Sequence, residues 1–214
     1  MAAVDHLVVA AADLESGSAW LESRLGARLA GGGRHAAMGT HNRLLRLGEG
    51  HYLELIAIDP EAPAPGRRRW FDLDSPAMAT ALAERPRLVH WVARTPDLAG
   101  AAATCREPLG DLLSMARGDF RWRITVAAGG APPLGGLLPS LIQWELPFHP
   151  ADRLPESGCR LMKLEAFADE PARLRAALAD LGLERHLDIH PANAEQPAQL
   201  VAYLETPRGL VELD

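Results

Sequence analysis

Short apolar stretches recur along the chain, and Gly, Pro, Asn or Asp residues separate them. Aromatic and branched residues in such stretches are typical of β-strands, and the residues between them are typical of turns. The first stretch surrounds His6, and a helical pattern runs from Asp13 to Gly26. Because an Asp at a helix start accepts hydrogen bonds from unpaired backbone amides, we predict a helix here. Three further strands are predicted at roughly 34–39, 42–47 and 51–58.

The same pattern returns 84 positions later, because the motif H-x-V-x4-D-L begins at His6 and again at His90. After the second copy, strands are predicted at roughly 111–116, 120–127 and 139–146. A third set follows without the motif. It comprises a strand at roughly 160–167, a helix at 170–181 and strands at 184–190, 199–205 and 209–213.

These repeats predict an α+β fold in which repeated βαβββ units form cupped mixed sheets. Residues 1–150 would contain two paired units, with unit one at 1–60 and unit two at 87–147. Residues 158–214 would form a third βαβββ-like unit. A Pro-rich segment joins the first two units.

One carboxylate lies in the middle of an apolar strand. The stretch YLELI, residues 52–56, carries Glu54 at its centre. Burying an unpaired carboxylate costs several kcal/mol. Glu54 is therefore expected either to face water or to bind a cation.

Composition and charge exclude several classes of partner. The 214 residues are 48% hydrophobic and 23% charged, which is ordinary for a globular protein. The net charge of −6 argues against a nucleic-acid partner or an anionic membrane surface. Residues 124–144 are uncharged, but their four Gly and three Pro predict a strand end, a loop and a strand, not a membrane span. A cytoplasmic location without a signal peptide is expected, with Cys105 and Cys159 as free thiols.

The paired units place a His on each first strand and a Glu on each last strand. This arrangement resembles the vicinal oxygen chelate superfamily, which includes glyoxalase I. The stretch GGRHAAMGTHNRLLRLGEGHYLEL is similar, more narrowly, to the glyoxalase-like domain family within it. The resemblance covers about residues 4–150. It implies a cup built from a pair of units, so the third unit is expected to pack beside them or to pair across a homodimer.

The resemblance to glyoxalase I implies one metal held by four side chains, from the first and last strands of both units. Carried over residue by residue, it gives His6 and Glu54 from unit one and His90 from unit two. Glu145 is the preferred fourth ligand and Gln143 the alternative. Such a set suits one divalent first-row metal: Zn, Ni, Mn, Co or Fe(II). The ligating nitrogens of His6 and His90 should then lie within roughly 3–4 Å of each other.

Further residues are candidates for the same site. Glu212 in the third unit is the main rival as fourth ligand, although this unit is expected to supply none. The resemblance favours His35, Thr40, Asn42 and Gln143 as substrate-binding residues, and turn chemistry is the alternative for the first three. The aromatic residues Trp70, Phe71, Trp91, Trp122 and Trp144 are interpreted as core, with an apolar pocket as the alternative.

The leading hypothesis is a metal-dependent lyase or isomerase that acts on a small-molecule substrate with neighbouring oxygens. The metal would stabilise an enediolate or enolate, and Glu54 or Glu145 would transfer the proton. If only two His and one Glu bind the metal, an Fe(II) ring-cleaving dioxygenase is the alternative. A metal-free protein that binds a small molecule in the same cup is the other alternative.

Overall fold

The computed structural model of the chain describes residues 2–145 and 149–214. Unit one consists of β1 (Ala3–Ala10), α1 (Leu14–Leu25), β2 (Ala30–His35), β3 (Thr40–Arg46) and β4 (Tyr52–Ile58). The joining segment contains a 3-10 turn (Trp70–Asp72) and α2 (Pro76–Glu84). Unit two consists of β5 (Arg87–Arg94), α3 (Leu98–Thr104), β6 (Asp111–Arg117), β7 (Phe120–Val126), a 3-10 turn (Pro133–Gly136) and β8 (Ser140–Trp144). The remaining elements are α4 (Pro150–Arg153), β9 (Arg160–Ala168), α5 (Pro171–Asp180), β10 (Asp188–Pro191), β11 (Gln199–Thr206) and β12 (Gly209–Leu213).

Local chemistry determines where the first helix begins and ends. The carboxylate of Asp13 accepts hydrogen bonds from the backbone amides of Glu15 and Ser16. The helix ends at Gly26, whose φ of 67° is a left-handed conformation that glycine adopts at little cost. Asp97 caps α3 in the same way. The repeated motif therefore forms a strand followed by a capped helix in both units.

Eight strands from the first two units form one curved mixed sheet, in the order β2-β3-β4-β1-β5-β8-β7-β6. In each unit the first strand pairs in parallel with the last, β1 with β4 and β5 with β8. The two units join through the antiparallel pair β1 and β5. This arrangement confirms the predicted α+β fold class, in which repeated βαβββ units form a cupped mixed sheet.

The sheet curls until its two edge strands approach each other. β2 contacts β6, although they lie at opposite ends of the strand order. A Cβ placed on Gly33 in β2 would lie 2.6 Å from Cδ of Arg117 in β6. Because Gly33 has no side chain, the two strands can come this close. The concave face of the sheet therefore surrounds a cup.

The third unit has the predicted order of elements but a different order of strands. Its strands form a second sheet in the order β10-β9-β11-β12. The strand after helix α5 pairs in parallel with β9, as in an ordinary strand–helix–strand crossover. The last strand, β12, consequently lies at the edge and does not pair with the first. The division of the chain into residues 1–150 and 158–214 stays a prediction.

The two faces of the eight-stranded sheet have different coverings. Alternate residues of a strand point to opposite faces, so Leu7 and Val9 of β1 join the core on the outer face. That core also contains Leu164 of the second sheet. Val8 and Ala10 belong instead to the cluster around the cup.

Two elements differ from the sequence prediction. β2 begins and ends earlier than the predicted strand at 34–39, because the chain turns after His35 and Gly39 takes a φ of 57°. α2 lies in the Pro-rich segment, where the apolar pattern predicts no helix. Ser75 caps this helix and Pro76 occupies its first turn.

The uncharged stretch at 124–144 contains the end of β7, a 3-10 turn and β8, as predicted. In residues 2–145 and 149–214, no helix is long and apolar enough to cross a membrane.

Candidate functional site

The cup contains a cavity where the two units meet. Its atom-free space is about 340 Å³, including the part open to solvent. Two His, one Glu and one Arg side chain line it: His6, His35, Glu54 and Arg117. The remaining lining is mostly aromatic.

An irregularity in β1 brings a buried carboxylate beside the cup. Val4 pairs with Ala93 in β5, and the next pair is His6 with Val92. Asp5 is therefore an extra residue in β1, and a bulge of this kind changes the direction of side chains. Oδ1 of the fully buried Asp5 consequently lies 2.7 Å from Nδ1 of His6, its neighbour in the chain.

Three donors hold the carboxylate of Asp5. Oδ1 accepts from His6. Oδ2 accepts hydrogen bonds from Nε1 of Trp144 at 2.9 Å and from Nε2 of His149 at 3.0 Å. Burial alone would raise the pKa of Asp5, but the hydrogen bonds from His149 and His6 hold it well below its usual range. Asp5 is therefore ionised, and His6 donates to it through Nδ1. In the neutral ring of His6, this leaves Nε2 as a proton acceptor.

Glu54 reaches the same cup from β4, the strand beside β1. Nδ2 of Asn42 donates a hydrogen bond to its Oε1. The orientation of the Asn42 amide is fixed, because its Oδ1 accepts from the backbone amide of Gly33 at 2.8 Å. The apolar pattern of β4 alone does not predict this amide donor. The Asn42 amide holds the carboxylate of Glu54, which is only 6% exposed.

His35, Thr40 and Asn42, which the resemblance favours for substrate binding, all lie at this side of the cup. Nδ1 of His35 is 3.2 Å from Oγ1 of Thr40, and its Nε2 is 3.8 Å from Oε1 of Glu54. Burial lowers the pKa of His35 to about 4, against the opposing charge of Glu54, so the ring is neutral at pH 7. Of the three residues, His35 lines the cavity, whereas Thr40 and Asn42 support it from behind.

His6 and Glu54 face each other across a gap. Nε2 of His6 lies 3.7 Å from Oε2 of Glu54, which is too far for a hydrogen bond. The ring of Tyr52 stacks on His6 with 4.4 Å between the ring centroids. Together with Asp5, this contact fixes the orientation of the imidazole. The gap is thus bordered by two proton acceptors whose positions are set by the surrounding protein.

His90 lies on the cup face, but protein groups engage both of its ring nitrogens. Nδ1 donates to the carbonyl of Gly136 at 2.9 Å, and Nε2 accepts from the amide of Ser140 at 2.9 Å. The ring is fully buried, and burial lowers its pKa to about 4. Because Ser140 uses the Nε2 lone pair, His90 does not offer a metal-binding nitrogen here. His90 instead connects β5 to the 3-10 turn at Gly136 and to the first residue of β8, Ser140.

Neither Gln143, on β8, nor Glu145, which directly follows this strand, lines the cavity. Ile142 and Trp144 do line it, so the alternating residue Gln143 points to the other side of the strand. Oε1 of Gln143 accepts a hydrogen bond from the amide of Leu98 at the start of α3. Glu145 is exposed. Because neither residue lines the cavity, their predicted roles in ligation, catalysis and substrate binding are corrected.

Glu212, the rival for the fourth ligand position, is exposed on the edge strand β12 of the second sheet. In unit one, Glu54 reaches the cup because its strand pairs with β1. The different strand order of the third unit gives Glu212 no such position.

The predicted set of four metal ligands therefore does not fit a divalent ion. Of His6, Glu54, His90 and Glu145, the first two alone face each other in the cup. Within the described parts of the chain, no group of three or more His, Cys, Asp or Glu side chains is arranged to hold a metal ion. Catalytic zinc sites usually provide three protein ligands.

Aromatic side chains form the apolar part of the lining. Four of the five aromatic residues considered in the sequence line the cavity, as the apolar-pocket alternative predicts: Trp70, Phe71, Trp122 and Trp144. Trp91 belongs to the core on the outer face, as interpreted from the sequence, and its Nε1 donates to a backbone carbonyl at 2.7 Å.

The segment that contributes Trp70 and Phe71 covers the cup in a strained conformation. Phe71 and Asp72 have φ values of 58° and 57°. Left-handed values cost a residue other than glycine about 1–2 kcal/mol each. An ion pair of 2.6 Å between Arg69 and Asp74 helps to hold the segment in place. Strain of this kind clusters at functional sites.

Sequence analysis did not single out Asp5 or Arg117. Asp5 precedes His6 and would face away from it in a regular strand, so only the bulge brings them together. One signal was present: Asp5 is a carboxylate inside an apolar strand, like Glu54. Arg117 ends a predicted strand, where a charged residue is ordinary.

Comparisons with known proteins identify the family. A model of the glyoxalase-like domain family matches residues 4–182, whereas no curated protein matches. A solved structure of a hypothetical protein from Staphylococcus aureus has a TM-score of 0.58 at 14% identity, with 100% of this chain and 86% of that chain covered. At this identity the likeness shows the fold alone.

Two structures of methylmalonyl-CoA epimerase are also similar. That from Streptomyces coelicolor, in complex with 2-nitronate-propionyl-CoA, has a TM-score of 0.43 at 21% identity, covering 67% of this chain and 97% of that chain. That from Mycobacterium tuberculosis has a TM-score of 0.39 at 23% identity, covering 66% of this chain and 85% of that chain. The family match spans the cup and most of the chain, which confirms the resemblance: this protein belongs to the glyoxalase-like domain family.

Proposed function

We propose that this chain is an enzyme that moves a proton on a small molecule with two neighbouring oxygens. Family membership supports a vicinal oxygen chelate enzyme or binding protein and leaves the reaction open. The observation that carries the proposal is the pair of His6 and Glu54, which stand 3.7 Å apart at the cavity. Two acceptors held side by side at this distance are arranged to receive protons from adjacent atoms of a molecule bound in the cavity beside them.

The surroundings of the two acceptors suggest different roles. Oε1 of Glu54 already accepts from Asn42, so Oε2 takes the proton from the carbon next to a carbonyl group. Nε2 of His6 takes the proton of the neighbouring hydroxyl group and passes it to the former carbonyl oxygen, so that the two substrate oxygens never carry two negative charges together. Asp5 stabilises the imidazolium that forms. Return of the proton from Glu54 to the adjacent carbon, and of the other to oxygen, completes an isomerisation.

Dependence on a divalent first-row metal stays a prediction that rests on the resemblance. Such a metal would supply Lewis-acid stabilisation of negative charge on the substrate oxygens. An Fe(II) dioxygenase site would need two His and one Glu around one point, and the described residues contain no group of three donors arranged in this way, so we do not propose ring cleavage.

Exchange of carbon-bound hydrogen with heavy water tests the proposal. We expect the protein to accelerate this exchange in at least one member of a panel of α-hydroxy ketones and α-hydroxy aldehydes. Glu54→Gln should lower the exchange rate about 100-fold or more, because a positioned base contributes about 10²–10⁴-fold. Glu145→Gln removes the same charge outside the cup and should leave the rate unchanged. Proton NMR follows the exchange, with metal content measured on the same sample. Equal losses in both variants would contradict the proposal.

A metal-free binding protein is the second candidate. The aromatic lining favours it, since ring side chains hold small apolar molecules without any chemistry. Binding of panel compounds without any exchange in the wild-type protein would favour this candidate over the enzyme.

A further inference from the structure

The cup carries a cation that forms no ion pair with a carboxylate in the described part of the chain. Arg117 lines the cavity and is half-buried. Its guanidinium lies 5.9 Å from the ring centroid of Phe120. Within residues 2–145 and 149–214, it makes no ion pair or hydrogen bond. A guanidinium held beside a cavity in this way is available to an anion from solution.

The fold directs Arg117 toward the cup. Trp122 and Ile124 of β7 line the cavity, and their partners in β6 are Met115 and Leu113. Arg117, two residues after Met115, therefore points to the same face. The aliphatic part of the Arg117 side chain crosses Gly33. Any side chain at position 33 would collide with Arg117. The closure of the sheet edges thus holds the cation at the cavity.

One residue that lines the cavity carries a buried hydrogen-bond donor with no acceptor among the described residues. Trp70 lines the cavity and is 5% exposed. Its Nε1 is buried and has no partner among the described residues. Trp144 and Trp91, by contrast, each donate to a protein oxygen. Because buried donors are rarely left unpaired in folded proteins, the Trp70 indole points to an acceptor supplied by a ligand.

We propose that Arg117 and Trp70 bind the carboxylate of a small, flat monocarboxylic acid. The guanidinium fork matches a carboxylate geometrically, and the indole N–H adds one donor. The apolar body of the acid then packs against the rings that line the cup, with Trp122 and Trp144 on the β7–β8 side. This inference deepens the proposed function, and it rests on it in taking the cup as the substrate site.

The charges already in the cup favour a monoanion over a phosphate. Asp5 and Glu54 are buried carboxylates at the same site. A ligand with two negative charges would be repelled by both, whereas one guanidinium balances a single charge. No second unpaired cation lines the cavity among the residues described. The test must therefore distinguish binding of a carboxylic acid from binding of a phosphate ester.

Titration of the whole protein with three flat probes tests the inference without requiring turnover. The probes are benzoate, its neutral counterpart benzamide, and phenyl phosphate. We expect benzoate to bind about 10-fold or more tightly than the other two, because hydrogen bonds to charged groups are the stronger ones. In isotope-labelled protein, the indole N–H resonance of Trp70 should move on binding, while that of Trp91 should stay in place.

Matched arginine variants assign the effect. Arg117→Met should weaken benzoate binding about 10-fold or more and leave benzamide within about 2-fold. Arg123→Met removes the same charge from the other face of β7 and should change neither affinity. If Arg117→Met does not fold, Arg117→Lys is the second variant. It keeps the charge but loses the planar guanidinium that binds a carboxylate through two hydrogen bonds, so it should still weaken benzoate binding.

Three results would overturn the inference: equal affinity for benzoate and benzamide, tighter binding of phenyl phosphate, or equal effects of the two Met variants. Failure of all probes to bind at about 10 mM would overturn it as well. Because binding is measured and not turnover, benzoate binding by a protein that catalyses no exchange would refute the proposed function alone.

Discussion

Among single residues, Asp5 has the most demanding position. It is a fully buried charge that lies next to His6 and also accepts from Trp144 and His149. Each donor compensates part of the cost of burying the carboxylate, and the carboxylate in return fixes which nitrogen of His6 carries the proton. We regard Asp5 as a positioning residue, since it acts on the cavity through His6.

Asp5→Asn tests this role. The new amide would direct N–H groups toward side chains that are themselves donors, so at least one hydrogen bond is lost. We expect the free energy of unfolding to fall by about 1–3 kcal/mol, measured by urea denaturation. We also expect the nitrogen NMR shifts of His6 to show loss of the single ring tautomer. Asp169→Asn, at an exposed position, should change neither quantity. An unchanged His6 tautomer in Asp5→Asn would contradict the positioning role.

Among the elements, the contact between the edge strands β2 and β6 decides the shape of the cup. A Cβ on Gly33 would lie 2.6 Å from Cδ of Arg117, whereas a Cβ on Gly31 would meet no atom within 4 Å. These two glycines lie in the same strand and have no positive φ. They therefore offer a matched pair of substitutions.

Gly33→Ala should displace the flexible side chain of Arg117 with little loss of stability. We expect benzoate binding to weaken about 3-fold to 10-fold, because the guanidinium leaves its place at the cavity. Gly31→Ala should bind benzoate as the wild type does. The measurement is the same titration, with thermal melting to compare stability. If both alanine variants bind equally well, the path of Arg117 over Gly33 is unimportant for binding.

The elements also show which parts of the site the sequence can predict. Apolar stretches and helix caps predict most strands and helices, because both depend on neighbouring residues. The face that a strand presents depends on the register of its pairing, so the sequence alone does not show that Gln143 points away from the cup. The bulge at Asp5 and the amide donor from Asn42 to Glu54 arise from contacts between strands. No local pattern reports such contacts.

In the whole molecule, the third unit shares a core with the first two. The cluster on the outer face contains Trp91 of β5 together with Leu164 and Leu204 of the second sheet. The backbone amide of Leu88 also donates to the carbonyl of Asp214 at 3.1 Å. A shared core of this kind makes separate folding of the two parts unfavourable, because each would expose apolar surface to water. A homodimer and a cytoplasmic location stay predictions.

Cleavage of the connection between the two parts tests this continuity. The exposed residues Pro155 and Glu156 lie between α4 and β9, where a recognition site for a sequence-specific protease can be inserted. After cleavage we expect both fragments to elute together in gel filtration, because the shared core is buried with or without the covalent bond. They should separate only after addition of urea, when the core unfolds. Glu84→Gln, which removes an exposed ion pair with Arg87 inside the first part, should not change this behaviour, since such pairs contribute little. Separation of the fragments in plain buffer would show instead that residues 158–214 form an independent domain.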